Sequence, residues 1–239
     1  MIEPIDLFGH IRKVLGINGS LTGRQLLITA GGTQEPIDPV RVICNRSSGK
    51  QGYALAQAAI DAGASVTLIS TPTALYPPIG STLVPVHTAK EMLNAVLENL
   101  PNKEALIMAA AVADFRPQIM SNKKIKKKDG LPSILLESTT DILTSLSSNE
   151  NSALRPKIVV GFAAESQDLI SNAKEKLISK NLDLIAANDI SATDSGFGVD
   201  TNRVTLLFAN RKNVELPLQS KTDIAEAIIQ HLASLLENH

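Results

Sequence analysis

The apolar run Gln25-Leu-Leu-Ile-Thr-Ala30, the stretch Gly31-Gly-Thr-Gln-Glu-Pro-Ile-Asp-Pro-Val-Arg-Val-Ile-Cys-Asn-Arg-Ser-Ser-Gly-Lys-Gln-Gly52 and the run Tyr53-Ala-Leu-Ala-Gln-Ala-Ala-Ile60 decide the fold. The first has the length and apolarity of a buried strand, and the last reads as a helix. Between them lies a polar, glycine-bearing loop. Most strand-to-helix loops hold about two to six residues, so one this long has a purpose beyond turning the chain. A helix whose first turn starts at Ser47-Ser48-Gly49 presents unsatisfied N–H groups and a positive dipole end, which suit a phosphate. Gly31, Gly32, Gly49 and Gly52 let backbone approach a ligand with no Cβ in the way. The spacing is not the G-x-G-x-x-G of a dinucleotide site.

Outward from this stretch, apolar strands alternate with helical patterns, the signature of an open parallel sheet. Strands are expected at 25–30, 65–70, 104–111, 157–162 and 182–187, and helices near 50–62, 88–99, 139–147, 166–180 and 221–236. Residues 202–208 and 213–217 read as a closing hairpin. Residues 118–137 break the rhythm with a lysine cluster, the turn pair Asp129-Gly130 and a β-like Ser133 to Leu136. They are expected to form an arm leaving the sheet. Ile5, Phe8, Ile11 and Leu15 recur at helical spacing, so residues 1–20 read as an amphipathic helix or connector and 21–239 as the main domain. The fold class is therefore α/β: a Rossmann-like, open and mostly parallel sheet with helices on both faces and a protruding β-arm.

Composition narrows the classes. The 239 residues suffice for a sizeable core. Trp is absent and Phe and Tyr are few, so Ala, Leu, Ile and Val must build it. A net charge of −1 argues against bulk affinity for nucleic acid or an anionic membrane. No apolar run reaches the roughly 18 residues that span a bilayer, and no signal-peptide pattern opens the chain, so a cytoplasmic address is expected. The single cysteine, Cys44, excludes an internal disulfide and a cysteine-based zinc cluster. His10, His87, His231 and His239 lack metal-ligand spacing.

Further motifs follow the loop in order: Ala109-Ala-Ala-Val-Ala-Asp-Phe-Arg-Pro117, Lys124-Ile-Lys-Lys127, Thr140-Asp-Ile-Leu143, Gly161-Phe-Ala-Ala-Glu165, Lys180-Asn-Leu-Asp183, Ala187-Asn-Asp189 and the segment Phe197 to Asn202. With the loop they make roughly residues 24 to 235 resemble phosphopantothenoylcysteine synthetase, the ligase of coenzyme A biosynthesis. The resemblance implies CTP-dependent joining of 4′-phosphopantothenate to L-cysteine through an acyl-cytidylate, with CMP and pyrophosphate released. It implies Mg²⁺ held mainly by nucleotide phosphates, no flavin in this chain, and a homodimer whose arm is 118–137. It also implies fusion to, or association with, a flavin-dependent decarboxylase, for which the first residues would be the connector.

Joining a carboxylate to an amine in water requires a better leaving group than hydroxide, and a nucleotide supplies one. The protein must neutralise phosphate charge, align the attack and shield the intermediate. By resemblance, Lys124 helps form the acyl-nucleotide and Asn45 acts on that intermediate. Lys124 otherwise belongs to a solvated charge run, since five of the six residues from Lys123 to Lys128 are lysine. Lys176 and Lys180, four apart and so on one helix face, would hold the triphosphate. Phe162 would pack against the base, and the Gly-Phe-Ala-Ala-Glu form looks like the cytidine-using branch. Met108, Ala109, Ala110, Asp114, Thr140, Asp141, Ile142 and Leu143 complete the implied nucleotide set. Structural alternatives are a turn or N-cap role for Asp114 and an N-cap role for Thr139 or Thr140; relatives often have proline where Thr140 stands. Gly31, Gly32, Arg41, Ser47, Ser48 and Gly49 form the implied phosphate loop, with Arg41 facing phosphate or a neighbouring subunit. Asp38-Pro39 reads as turn chemistry only. Two other classes fit the same pattern less well: a nicotinamide-dependent oxidoreductase, which lacks the glycine turn and a clear Tyr–Lys relay, and a non-catalytic binding domain.

Overall fold

The computed structural model describes residues 2–127, 132–147, 151–165, 167–189 and 199–239. Among these, eight strands form one sheet in the order β12-β11-β10-β9-β6-β1-β4-β5. Their bounds are β1 Gln25–Ala30, β4 Ser65–Ser70, β5 Thr82–Pro85, β6 Ala105–Met108, β9 Ile158–Glu165, β10 Leu184–Asp189, β11 Thr201–Phe208 and β12 Val214–Ser220. Strands β5, β4, β1, β6, β9 and β10 run parallel, and β11 and β12 add an antiparallel hairpin at one edge. The doubly wound, Rossmann-like class expected from the alternation is the one observed.

Alternation along β1 sorts the core into two layers. Leu26, Ile28 and Ala30 face α2 (Lys50–Asp61) and α6 (Lys221–Glu237), where Leu55, Ala59, Ile224 and Ile228 are fully buried. Leu27 faces the other layer with Ile69, Met92, Leu106 and Ile185, under α3 (Ala89–Asn99), α4 (Ile142–Leu146) and α5 (Leu169–Ser179). Each such aliphatic side chain contributes about 1.5–3 kcal/mol on burial, so small aliphatics in number replace the missing aromatics. Gly52 is required where α2 crosses β1: a Cβ there would lie 2.5 Å from the Ala30 Cβ.

The expected 25–30 and 65–70 strands are found as read. The expected 104–111 strand stops at Met108, because the Ala110 N–H turns to Thr29 Oγ1 and the Ala111 N–H to the Gly31 carbonyl. The amphipathic helix is α1 (Pro4–Leu15), tied to α2 by an Arg12–Asp61 ion pair. Two short features were not foreseen. Edge strand β5 ends in Pro85, and β2 (Gln34–Pro36) pairs with β3 (Val42–Cys44) inside the long loop. Strand β7 (Phe115–Pro117) pairs with β8 (Leu136–Ser138) as a hairpin base outside the main sheet. This base lies where an arm was expected, although its return strand is 136–138 instead of 133–136. Asp129-Gly130, Lys128 and Phe197 lie outside the described residues.

Candidate active site

A cavity of about 380 Å³ opens at the carboxyl ends of the strands, between β1 and β6 where the strand order reverses. Open α/β sheets bind ligands at this position, because the helices that follow adjacent strands diverge there. The walls come from 45–52, the chain after β6, the start of α4, β9 and α5, with Asn188, Asn202 and Lys221 at the far end.

Most residues expected to hold a nucleotide meet here: Met108, Ala109, Ala110, Asp114, Thr140, Asp141, Ile142, Leu143, Phe162 and Lys176 all line the cavity. So do Asn45, Ser47, Ser48 and Gly49. Phe162, midway along β9, is half-buried, packed on the α2/α6 core with part of its surface left to the cavity. Lys176 reaches in from α5, whose Ala173 and Leu177 are buried, and its ammonium donates to the Phe162 carbonyl at 2.8 Å. Burial pushes its pKa down, while Asp141, Glu165 and Asp114 oppose the shift. A half-buried ammonium with a single hydrogen-bond acceptor among the described residues is a natural seat for phosphate oxygens. Asn45 Nδ2 donates to the Val112 carbonyl at 3.0 Å, which pins the loop end against the chain leaving β6.

Other residues expected in the site lie elsewhere or do other work. Lys180 points to the start of α4, bonding Thr144 Oγ1 at 2.6 Å and pairing with Asp141 at 2.9 Å. It does not line the cavity. The N-cap of α4 is Asp141, not Thr139 or Thr140: its carboxylate accepts the Thr144 N–H at 2.7 Å. Thr139 donates its hydroxyl to the Ala113 carbonyl instead. Burial raises the Asp141 pKa, but the Thr144 N–H and Lys180 outweigh it, and the net shift is downward. Helix α2 begins at Lys50, with Gly49 as N-cap in the left-handed region at φ +77°. Gly31 and Gly32 pack under the loop and do not line the cavity; at φ +84°, a Cβ on Gly31 would sit 2.0 Å from Thr71 Oγ1.

Arg41 and Lys124 also lie away from the cavity lining. Arg41 grips Asp38 through Nε at 3.0 Å and Nη2 at 2.5 Å, and donates to the Ile125 carbonyl at 2.7 Å. The Asp38 carboxylate is wholly buried. The Arg41 hydrogen bond holds it well below the ordinary carboxylate range against the cost of burial, with help from the Val40, Ile125 and Arg41 N–H groups. Asp38 thus does more than turn chemistry. Lys124 is exposed, beside Ile125.

Sequence reading assigned no role to Lys50, Gln51, Asn188, Asn202 or Lys221, yet all line the cavity. Lys50 pairs with Asp200 at 2.6 Å, and Lys221 donates to the Val199 carbonyl at 2.6 Å. Among the described residues, Gln51 Oε1 and Asn188 Oδ1 are buried acceptors without a hydrogen-bond partner. Unsatisfied buried acceptors are costly, so this end is suited to a ligand bearing N–H or O–H donors. The signals that could have found them were the loop motif ending at Gly52, the Ala187-Asn-Asp189 motif at a strand end and the segment ending at Asn202; Lys221 had none. Tyr53, a conceivable redox relay, is buried and bonded to Ser70 Oγ at 3.1 Å.

A family model, DFP, DNA/pantothenate metabolism flavoprotein C-terminal domain, matches residues 21–236. The chain belongs to this family. A solved structure of the C-terminal domain of coenzyme A biosynthesis bifunctional protein CoaBC is 39% identical, covers 92% of this chain and all of its own, and superposes with a TM-score of 0.78. The CoaBC protein of Bacillus subtilis strain 168 is 47% identical over 216 residues, 90% of this chain and 52% of its own length. That of Vibrio cholerae is 42% identical over 232 residues, 96% of this chain and 57% of its own. The chain thus spans little more than half of these relatives. A Cab2 variant in complex with phosphopantothenate-cysteine shares the DFP-domain fold at 20% identity and a TM-score of 0.74. Among the described residues no helix is long and apolar enough to cross a membrane.

Proposed function

We propose that this DFP domain is a phosphopantothenate–cysteine ligase that uses CTP. The observation that carries the reading is the convergence, in one cavity at the strand ends, of a half-buried ammonium (Lys176), an aromatic face (Phe162), backbone from 108–110 and the amide of Asn45. Its CoaBC relatives, named for coenzyme A biosynthesis, support the same reading. The nucleotide base lies against Phe162, with its triphosphate toward Lys176. The acyl substrate takes the far end, where its hydroxyl and amide groups serve the Gln51 and Asn188 acceptors.

In the first step a substrate carboxylate oxygen attacks the α-phosphorus of CTP, the bond to the bridging oxygen breaks and pyrophosphate leaves. Lys124 steadies the charge that develops on the phosphate. In the second step the cysteine amine attacks the acyl carbon of the anhydride. CMP departs with the anhydride oxygen and the amine loses a proton, while Asn45 polarises the acyl carbonyl. Asp114 and Glu165 add carboxylate oxygens near the triphosphate, a donor set that fits Mg²⁺ completed by phosphate oxygens and water. When bound, Mg²⁺ would neutralise phosphate charge.

Lys124 lies off the cavity lining, and this fits a homodimer in which the arm of one copy serves a neighbouring site. The arm's exposed Phe115, Ile119, Met120, Leu135 and Leu136 would be covered in such an assembly. Residues 1–20 would serve as the connector to a flavin-dependent decarboxylase, and a cytoplasmic address goes with this metabolism. A nicotinamide reductase has less in its favour, since Tyr53 is committed to the core. The test is to incubate an Asn45→Asp variant with phosphopantothenate and CTP and seek the acyl-cytidylate by mass spectrometry. Its accumulation without efficient turnover supports the reading. Loss of both half-reactions alike would overturn the assignment of Asn45.

A further inference from the structure

Asp38 is a wholly buried carboxylate in a polar loop with no part in either core layer. Its two oxygens have separate duties. Oδ1 accepts the N–H groups of Val40 and Arg41, both at 2.9 Å, and so closes a local turn. Oδ2 accepts from Arg41 Nε and Nη2 and, across the molecule, from the Ile125 N–H at 3.1 Å. Arg41 answers by donating to the Ile125 carbonyl at 2.7 Å. Both backbone groups of Ile125 are therefore clasped by the Asp38–Arg41 pair. A second tie lies four residues upstream, where the Ser121 N–H meets the Ile37 carbonyl at 3.0 Å. Lys124 sits between the two ties, in a stretch with neither helix nor strand of its own.

We propose that Asp38 is a positioning residue: it latches the Lys-rich strap to the loop that carries Arg41 and Asn45, and so fixes where Lys124 is presented. The inference rests on the reading of Lys124 as the residue of acyl-cytidylate formation. A lysine on an otherwise irregular strap loses effective concentration quickly as its backbone wanders, and small misplacements cost large factors in rate.

Asp38→Asn separates the two duties. The remaining carbonyl oxygen keeps the turn to Val40 and Arg41, while an NH₂ replaces Oδ2 and faces only donors. Amide exchange at Ile125 should then lose protection, with the thermal transition showing that the domain stays folded. Single-turnover pyrophosphate release without cysteine should fall roughly tenfold to a hundredfold, with KM for CTP within about twofold. In a Lys124→Gln background the same change should cost nothing further, since the two act through one group. Ile125→Pro, which removes the N–H from the other side, should reproduce the effect and serves if Asp38→Asn does not fold. An opened latch with an unchanged rate overturns the proposal, as does an equal loss in the Lys124→Gln background. If the unaltered protein releases no pyrophosphate, the ligase reading fails instead, and the exchange at Ile125 still reports on the latch.

Discussion

Lys176 and Lys124 are cations assigned to the same nucleotide, yet the molecule holds them in opposite ways. Lys176 projects from a helix whose neighbouring turns are buried, and its ammonium rests on the carbonyl of a central strand. Lys124 is exposed on an irregular strap between β7 and β8, positioned through hydrogen bonds of its neighbours. The first arrangement rests on the hydrophobic core that holds its helix. The second depends on a few polar contacts and belongs with the parts of a fold that open at low cost. Under the proposed ligase function the difference becomes a division of labour: the floor of the cavity would bind the nucleotide, and the strap would present the group needed for chemistry.

The largest test of that division is Lys124→Gln. It should lower acyl-cytidylate formation by about 10²–10³-fold or more, with CTP binding by calorimetry nearly unchanged. If CTP binding collapses instead, the strap belongs to the binding floor and the contrast is lost. Lys176→Met should do the reverse, raising KM for CTP by roughly tenfold to a hundredfold, the worth of one charge-assisted contact. Because burial depresses the Lys176 pKa, its ammonium is lost as pH rises through a value below the ordinary lysine range. KM for CTP should therefore rise on the alkaline side earlier than for an exposed lysine, and Lys176→Arg should remove that limb. An alkaline limb that persists unchanged in Lys176→Arg would reassign it.

How much of this was legible in the sequence follows the same line. The main strands and the two cavity-flanking helices α2 and α5 were readable, because apolar periodicity is what the core demands. Residues 108–110, Phe162 and Lys176 were placed by ordered motifs on those elements, and they do line one cavity. Polar partnerships were not legible. Nothing in the spacing tells that Lys180 serves Asp141 and Thr144, that Asp141 displaces the threonines as N-cap, or that Asp38 reaches across to Ile125. The Lys180 and Asp38 bonds join residues far apart in the chain and leave no period, whereas the Asp141 cap is a local bond three residues long that competes with two neighbouring threonines. Gln51, Asn188 and Lys221 escaped because they meet only when three separate elements converge.

Smaller effects sharpen the contrast. Asp141→Ala removes the cap of α4 and should cost about 1 kcal/mol of stability, or roughly 2–4 °C in the thermal transition. The folded-state pKa of Asp141 is lowered, so its contribution is present above the unfolded value and fades as pH falls through the folded one. Asp141→Ala should then narrow its gap to the parent protein under acid conditions; a gap independent of pH would deny the carboxylate its role. Smallest of all, Arg116→Ala breaks a half-exposed pair with Glu137 at the arm's base and should change stability by less than about 1 kcal/mol. A larger loss would show that the arm is integral to the domain.

The most direct measurement is pyrophosphate release by the purified chain with phosphopantothenate and Mg²⁺, comparing CTP with ATP, with and without cysteine. The account predicts release with CTP, and phosphopantothenoylcysteine only when cysteine is present. No release with either nucleotide, from a folded protein, would contradict it.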